Sequence, residues 1–162
     1  MDSTMGNQQV KITWEWLAGF YDGEGCLSLS KSESKGYIRY SPQIDLVNTN
    51  LVVMQAIVDF MHANCISVYV NYSKHHGTFH RDANRQHKQR MNMRIARMAN
   101  VKRFLQFIEP HLIVKKANAH LLLEFVDSRA TGYVKTSDRD HVIYSELKQL
   151  TIKGIVIESS TT

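Results

Sequence analysis

The chain has 162 residues, of which 43% are hydrophobic, so it is long enough for one domain with a real core. Lys and Arg outnumber Asp and Glu by 20 to 15, a net charge of +5 that favours a polyanionic partner. Two cysteines, Cys26 and Cys65, exclude a zinc framework and a dense disulfide scaffold. A run of the ~18 apolar residues that a membrane span needs is missing, and Met1 to Gln9 is too polar for a secretory leader. The expectation is an intracellular protein without membrane contact.

In chain order, the first predicted element is a helix over Val10 to Gly23, with Thr13 as N-cap, Glu15 in its first turn and Gly25 as its stop. Alternation follows. Leu27 and Leu29 oppose Ser28, Ser30 and Ser32, and Ser32 to Gly36 is expected to turn the chain. A second strand runs from Tyr37 to Val47, with Ile38, Tyr40, Ile44 and Leu46 opposite Arg39, Ser41, Gln43 and Asp45. From Asn50 the spacing of Leu51, Met54, Val58 and Met61 is helical. Two more strands are expected. In one, Ile66, Val68 and Val70 oppose Ser67, Tyr69 and Asn71; in the other, Met91, Met93 and Ile95 oppose Arg90, Asn92 and Arg94. A short helix over Val101 to Ile108 ends at Pro110, and further helices fit Val114 to Asp127 and Asp138 to Leu150. The order is αββαββα with additional C-terminal helices, an α+β fold in one domain whose core spans about residues 10–150, with frayed ends.

The helix carries a physical oddity. Gly19 and Gly23 lie four apart on one face, each costing about 1 kcal/mol of helix stability relative to Ala. Small residues at this spacing let two helix backbones approach closely. The chain holds one such segment, so a symmetric dimer would supply the second helix. Leu17, Ala18, Gly19 and Asp22 are the expected dimer contacts.

Leu17-Ala18-Gly19-Phe20-Tyr21-Asp22-Gly23-Glu24-Gly25 resembles the motif that names the LAGLIDADG homing endonucleases. Leu17, Ala18, Gly19, Asp22 and Gly25 match it, and the resemblance spans roughly Thr13 to Leu150. It implies a saddle-shaped antiparallel sheet and a homodimer that cuts both strands of a long, partly palindromic DNA site. It also implies Mg²⁺ (or Mn²⁺) held by Glu24 and the carbonyl of Gly23, with a structural role for Asp22. Lys115 matches the family's active-site lysine best, with Lys116 beside it, and Asn48 occupies a water-positioning place. So Glu24, Lys115 and Asn48 form the expected catalytic set. Val52 departs from the basic residue that some members carry. The alternative on the same fold is an RNA maturase or a non-cleaving DNA-binding regulator, and the host compartment is an organelle or an archaeal or phage-host cytoplasm.

Two-stranded ribbons fit the major groove, and the polar strand faces are the expected DNA readers. They are Ser28, Ser30, Ser32, Arg39, Ser41, Gln43 and Asp45 on the first hairpin, and Tyr69, Asn71, Ser73, Lys88, Arg90, Asn92 and Arg94 on the second. The loop from Lys74 to His87 adds Arg81 and Arg85 as expected phosphate contacts. His76 and His80 lie four apart without a helix or second ligand pair, so zinc is not expected there. Lys135, Thr136 and Ser137 are further backbone-contact candidates by position.

Overall fold

The computed structural model describes residues 11–74, 89–129 and 134–153. Helix α1 covers Trp14–Glu24. Thr13 stays extended, and its Oγ1 accepts the Trp16 N–H at 3.2 Å, so the helix begins after this cap rather than at the expected Val10. Gly25 closes the last turn by donating its N–H to the Tyr21 carbonyl.

Strands β1 (Gly25–Ser34) and β2 (Tyr37–Asn48) form a hairpin. The expected five-residue turn is only two residues long. Lys35 and Gly36 both take positive φ, 51° and 78°, as a type I′ turn demands, and Ser32 to Ser34 remain in the ladder. Helix α2 (Leu51–Ala63) is capped by Asn50, whose Oδ1 accepts the Val53 N–H at 3.2 Å.

Strand β3 covers Tyr69–Lys74 and starts later than the Ile66 expected from alternation. Residues 64–66 instead terminate α2. Cys65 takes a left-handed φ of 58°, its N–H reaches the His62 carbonyl, and the Ile66 N–H reaches that of Met61. This is a Schellman motif, and its apolar residue Ile66 is fully buried.

Strand β4 (Gln89–Ile95) buries Met91, Met93 and Ile95 as expected. Helix α3 spans Met98–Ile108 and passes into a 3₁₀ turn, Glu109–His111, so Pro110 sits within that turn instead of ending the helix itself. Helices α4 (Lys116–Asp127) and α5 (Asp138–Lys153) complete the order.

The antiparallel sheet runs β1-β2-β4-β3, with the helices on one face. Tyr21 of α1, Ile44 and Leu46 of β2, Phe104 of α3 and Phe125 of α4 are among the fully buried core residues. Helix α5 is fastened by polar contacts at its start. Asp140 pairs with Arg129 through two bonds of 3.0 and 2.9 Å, and Tyr40 Oη lies 2.7 Å from His141 Nδ1. Burial first, then Tyr144 and Asp140, raises the Tyr40 hydroxyl above its ordinary pKa. Among the described residues, no helix is long and apolar enough to cross a membrane.

Candidate active site and polar sheet face

Helix α1 presents different chemistry on its two sides. Leu17, Ala18 and Tyr21 are 0% exposed within a single chain. Leu17 and Ala18, expected as dimer contacts, therefore pack into their own core, and no surface of theirs remains for a partner. Asp22 is likewise engaged at home. Its carboxylate accepts the backbone N–H groups of Ile113 and Lys115, each at 2.8 Å. The exposed stripe is instead Trp16, Gly19 and Gly23, with half-buried Phe20 stacked on Trp16 at a ring separation of 5.2 Å. Residues 16, 19, 20 and 23 follow the i, i+3, i+4, i+7 spacing of one helix face. The motif residues do not mark Trp16 and Phe20, and with apolar residues on both sides of α1 its sequence carries no signal that selects this face.

A Cβ added to Gly19 or Gly23 would meet nothing within 4 Å. Packing among the described residues gives no reason for glycine at either position. Gly25 is the opposite case, since a Cβ there would lie 2.1 Å from Tyr21 Cδ1. The Tyr21 ring occupies the space that any larger residue would need.

Glu24 is the last, exposed residue of α1. Among the described residues its carboxylate joins no ion pair. The two adjacent lysines separate clearly. Lys115 Nζ donates to the backbone carbonyl of Asp22, at the end of α1, while Lys116 Nζ lies 3.8 Å from Glu109. Asp22 thus holds the Lys115 backbone by its carboxylate and the Lys115 ammonium by its carbonyl. It also explains why α4 starts at Lys116, two residues later than expected.

Asn48 ends β2, two residues beyond the Leu46–Gly25 pair, which places it at the same end of the sheet as Glu24. Its Oδ1 accepts the Asn50 N–H at 2.8 Å, so part of its amide is spent on the turn into α2. Val52 is 78% exposed in the first turn of that helix.

The polar face is laid out by register. Ser28 faces Gln43, Ser30 faces Ser41 and Ser32 faces Arg39 across the first hairpin. Across the inner strands, Asp45 faces Arg94, which faces Tyr69 of β3; Asn92 faces Asn71, and Arg90 faces Ser73. Several of these side chains are already partnered. The hydroxyls of Ser30 and Ser32 donate to the carbonyls of Ser41 and Arg39, and Arg90 Nε donates to Ser73 Oγ at 2.8 Å. Asp45 binds Arg94 through Nε at 2.6 Å and Nη2 at 3.2 Å. That hydrogen bond raises the Arg94 pKa further. Asn92 Oδ1 is buried without a partner among the described residues.

Arg81, Arg85 and Lys88, with His76 and His80, lie outside the described residues. Of the more distant candidates, Thr136 Oγ1 donates to the Ile38 carbonyl and Ser137 N–H to Asp140, so both brace α5, while Lys135 is exposed. No group of three or more His, Cys, Asp or Glu side chains gathers as a metal cluster among the described residues. Of the two carboxylates in the last turn of α1, Asp22 is spent on backbone N–H groups and Glu24 is the exposed one.

The sequence model of the family described as LAGLIDADG endonuclease matches residues 17–123, from the first motif residue into α4. No curated protein sequence matches the chain. Among solved structures, the homing endonuclease I-TnaI is similar over 88% of this chain and 97% of its own, at 19% identity and a TM-score of 0.58. I-CvuI, in complex with the I-CreI target, is similar over 83% of this chain and 74% of its own, at 18% identity and a TM-score of 0.53. I-SmaMI bound to cleaved DNA gives 16% identity and a TM-score of 0.61, covering 91% of this chain. This chain spans only 46% of that one, about half its length. At these identities the likeness is one of fold. The family match runs through the helix, both hairpins and the lysine segment, and this chain belongs to the LAGLIDADG endonuclease family.

Proposed function

We propose that this endonuclease acts as a homodimer that hydrolyses both strands of a long, partly palindromic DNA site with divalent metal ions. One observation carries the reading: α1 offers an open face of Gly19 and Gly23 that none of the described residues covers, and that face ends at the exposed carboxylate of Glu24. Two copies related by a two-fold axis would bring the glycines together and place two Glu24 carboxylates near the axis. A single I-SmaMI chain is about twice as long as this one, which fits a protein that needs two copies of this unit.

The donor set fits a hard cation. Glu24 offers carboxylate oxygen and the carbonyl of Gly23 offers another oxygen, both hard donors of the kind that Mg²⁺ prefers. A bound Mg²⁺ or Mn²⁺ would neutralise charge on the phosphodiester and stabilise the attacking and leaving oxygens. Lys115, held at the end of α1 by Asp22, contributes a fixed positive charge for the developing phosphorane. Asn48, at the neighbouring strand end, keeps its amide Nδ2 for ordering a water. The polar sheet face then supplies the DNA contacts.

The test is Glu24→Gln, assayed on a duplex selected by the wild-type protein from a randomised library. Cleavage with Mg²⁺ should be abolished, while binding in Ca²⁺ stays intact or tightens, because two negative charges have left the phosphate surroundings. Full cleavage by the variant would remove Glu24 from the chemistry. Binding without cleavage by the wild type would make the protein a non-cleaving regulator.

A further inference from the structure

Asp45 is an anomaly on a surface meant for DNA. An unpaired carboxylate there would repel phosphates, yet this one is spent on Arg94. We propose that Asp45 buttresses Arg94 so that the outer edge of its guanidinium reads a guanine in the major groove, a few base pairs from the cut. The inference rests on the endonuclease reading above.

The geometry leaves a defined set of donors. A guanidinium carries five N–H groups in a rigid plane. Asp45 takes the Nε–H and one Nη2–H. The outer edge, formed by Nη1 and Nη2, keeps two N–H groups directed away from the carboxylate. Guanine presents two acceptors side by side, N7 and O6, whereas adenine pairs one acceptor with a donor, and thymine pairs one with a methyl group. Two parallel donors therefore match guanine alone. The Arg94 side chain is 43% exposed and that of Asp45 only 18%, so the carboxylate lies beneath and the guanidinium above. Fixing the arginine in the free protein also lowers the entropy cost of docking.

Position favours a base over a phosphate. Asp45 and Arg94 stand on β2 and β4, the two inner strands of the sheet. The inner strands of a ribbon seated in the groove face base edges, and its rims face the backbones. Cys26, two residues past Glu24, is the cross-strand neighbour of Asp45. Two strand spacings and two residue rises put the Arg94 backbone about 12 Å from that of Glu24. This corresponds to roughly three or four base pairs of duplex.

The experiment profiles base preference. Wild type, Arg94→Ala, Asp45→Ala and Asp45→Asn each select from a randomised duplex library in Ca²⁺, and the recovered sites are compared one position at a time. Wild type should prefer guanine, on one strand, at one symmetric pair of inner positions. Arg94→Ala should flatten that preference by about tenfold and leave other positions unchanged. Asp45→Ala should flatten the same position, Asp45→Asn should restore part of it through its remaining acceptor, and a double variant that combines Asp45→Ala with Arg94→Ala should add little to Arg94→Ala. Equal weakening on all sequences would make Arg94 a phosphate contact and overturn the proposal, as would an unchanged profile in Arg94→Ala. If wild type selects no sequence at all, the endonuclease reading falls and this inference with it.

Discussion

The inner and outer sides of α1 use the same residue types for opposite ends. On the inner side, Gly25 is small because the buried Tyr21 ring fills the space beside it. On the outer side, Gly19 and Gly23 are small although none of the described residues crowds them. A glycine demanded by its own core and a glycine left open on a helix surface are indistinguishable as letters. The first serves folding. The second lowers helix stability, and the proposed second subunit gives it a use.

Substitutions on the two sides should therefore fail in different ways. Gly25→Ala forces a methyl group against a ring with no room to move, and should destabilise the fold by about 3 kcal/mol. A urea titration should show the lowered midpoint in the monomer and dimer alike. An unchanged midpoint would mean that Tyr21 repacks, and the inner side would lose its distinctive constraint.

Gly19→Leu breaks the comparison from the other side. Each protomer should remain folded, because the new side chain points into open space and leucine is a better helix former by up to about 1 kcal/mol. The dimer should be lost, and sedimentation should show a folded monomer with unchanged circular dichroism. A stable variant dimer, or a wild type that stays monomeric on DNA, would end the argument for a glycine seam.

The smallest expected effect sharpens the inner side. Tyr21 Oη is buried without a hydrogen-bond partner among the described residues, and burial drives its pKa far upward. Tyr21→Phe removes the orphaned hydroxyl while keeping the ring that Gly25 accommodates. Stability should rise by about 1 kcal/mol. A loss of stability would reveal a buried water satisfying the hydroxyl.

The element order, the sheet faces, the cap at Thr13 and the start of α2 near Asn50 were legible because each rests on neighbours a few residues apart. The motif also put Glu24 at the end of its helix by local sequence alone. What failed locally was the extent of β3, where Ile66 alternates like a strand residue but is captured by the end of α2. The larger failure concerns the orientation of α1. Trp16 and Phe20 are apolar on the open side just as Leu17 and Tyr21 are on the closed one, so periodicity offers no way to choose between them. Only the packing of α3 and the sheet against Leu17, Ala18 and Tyr21 decided which face stays open. The same holds for Asp22 with Lys115 and for Asp45 with Arg94, separated by 93 and 49 residues. Side-chain partners that far apart are set by the register of the sheet and the path of the chain around it. Sequence determined the elements and their chemistry here, and tertiary structure determined which groups are already paired and which remain for a ligand or a second subunit.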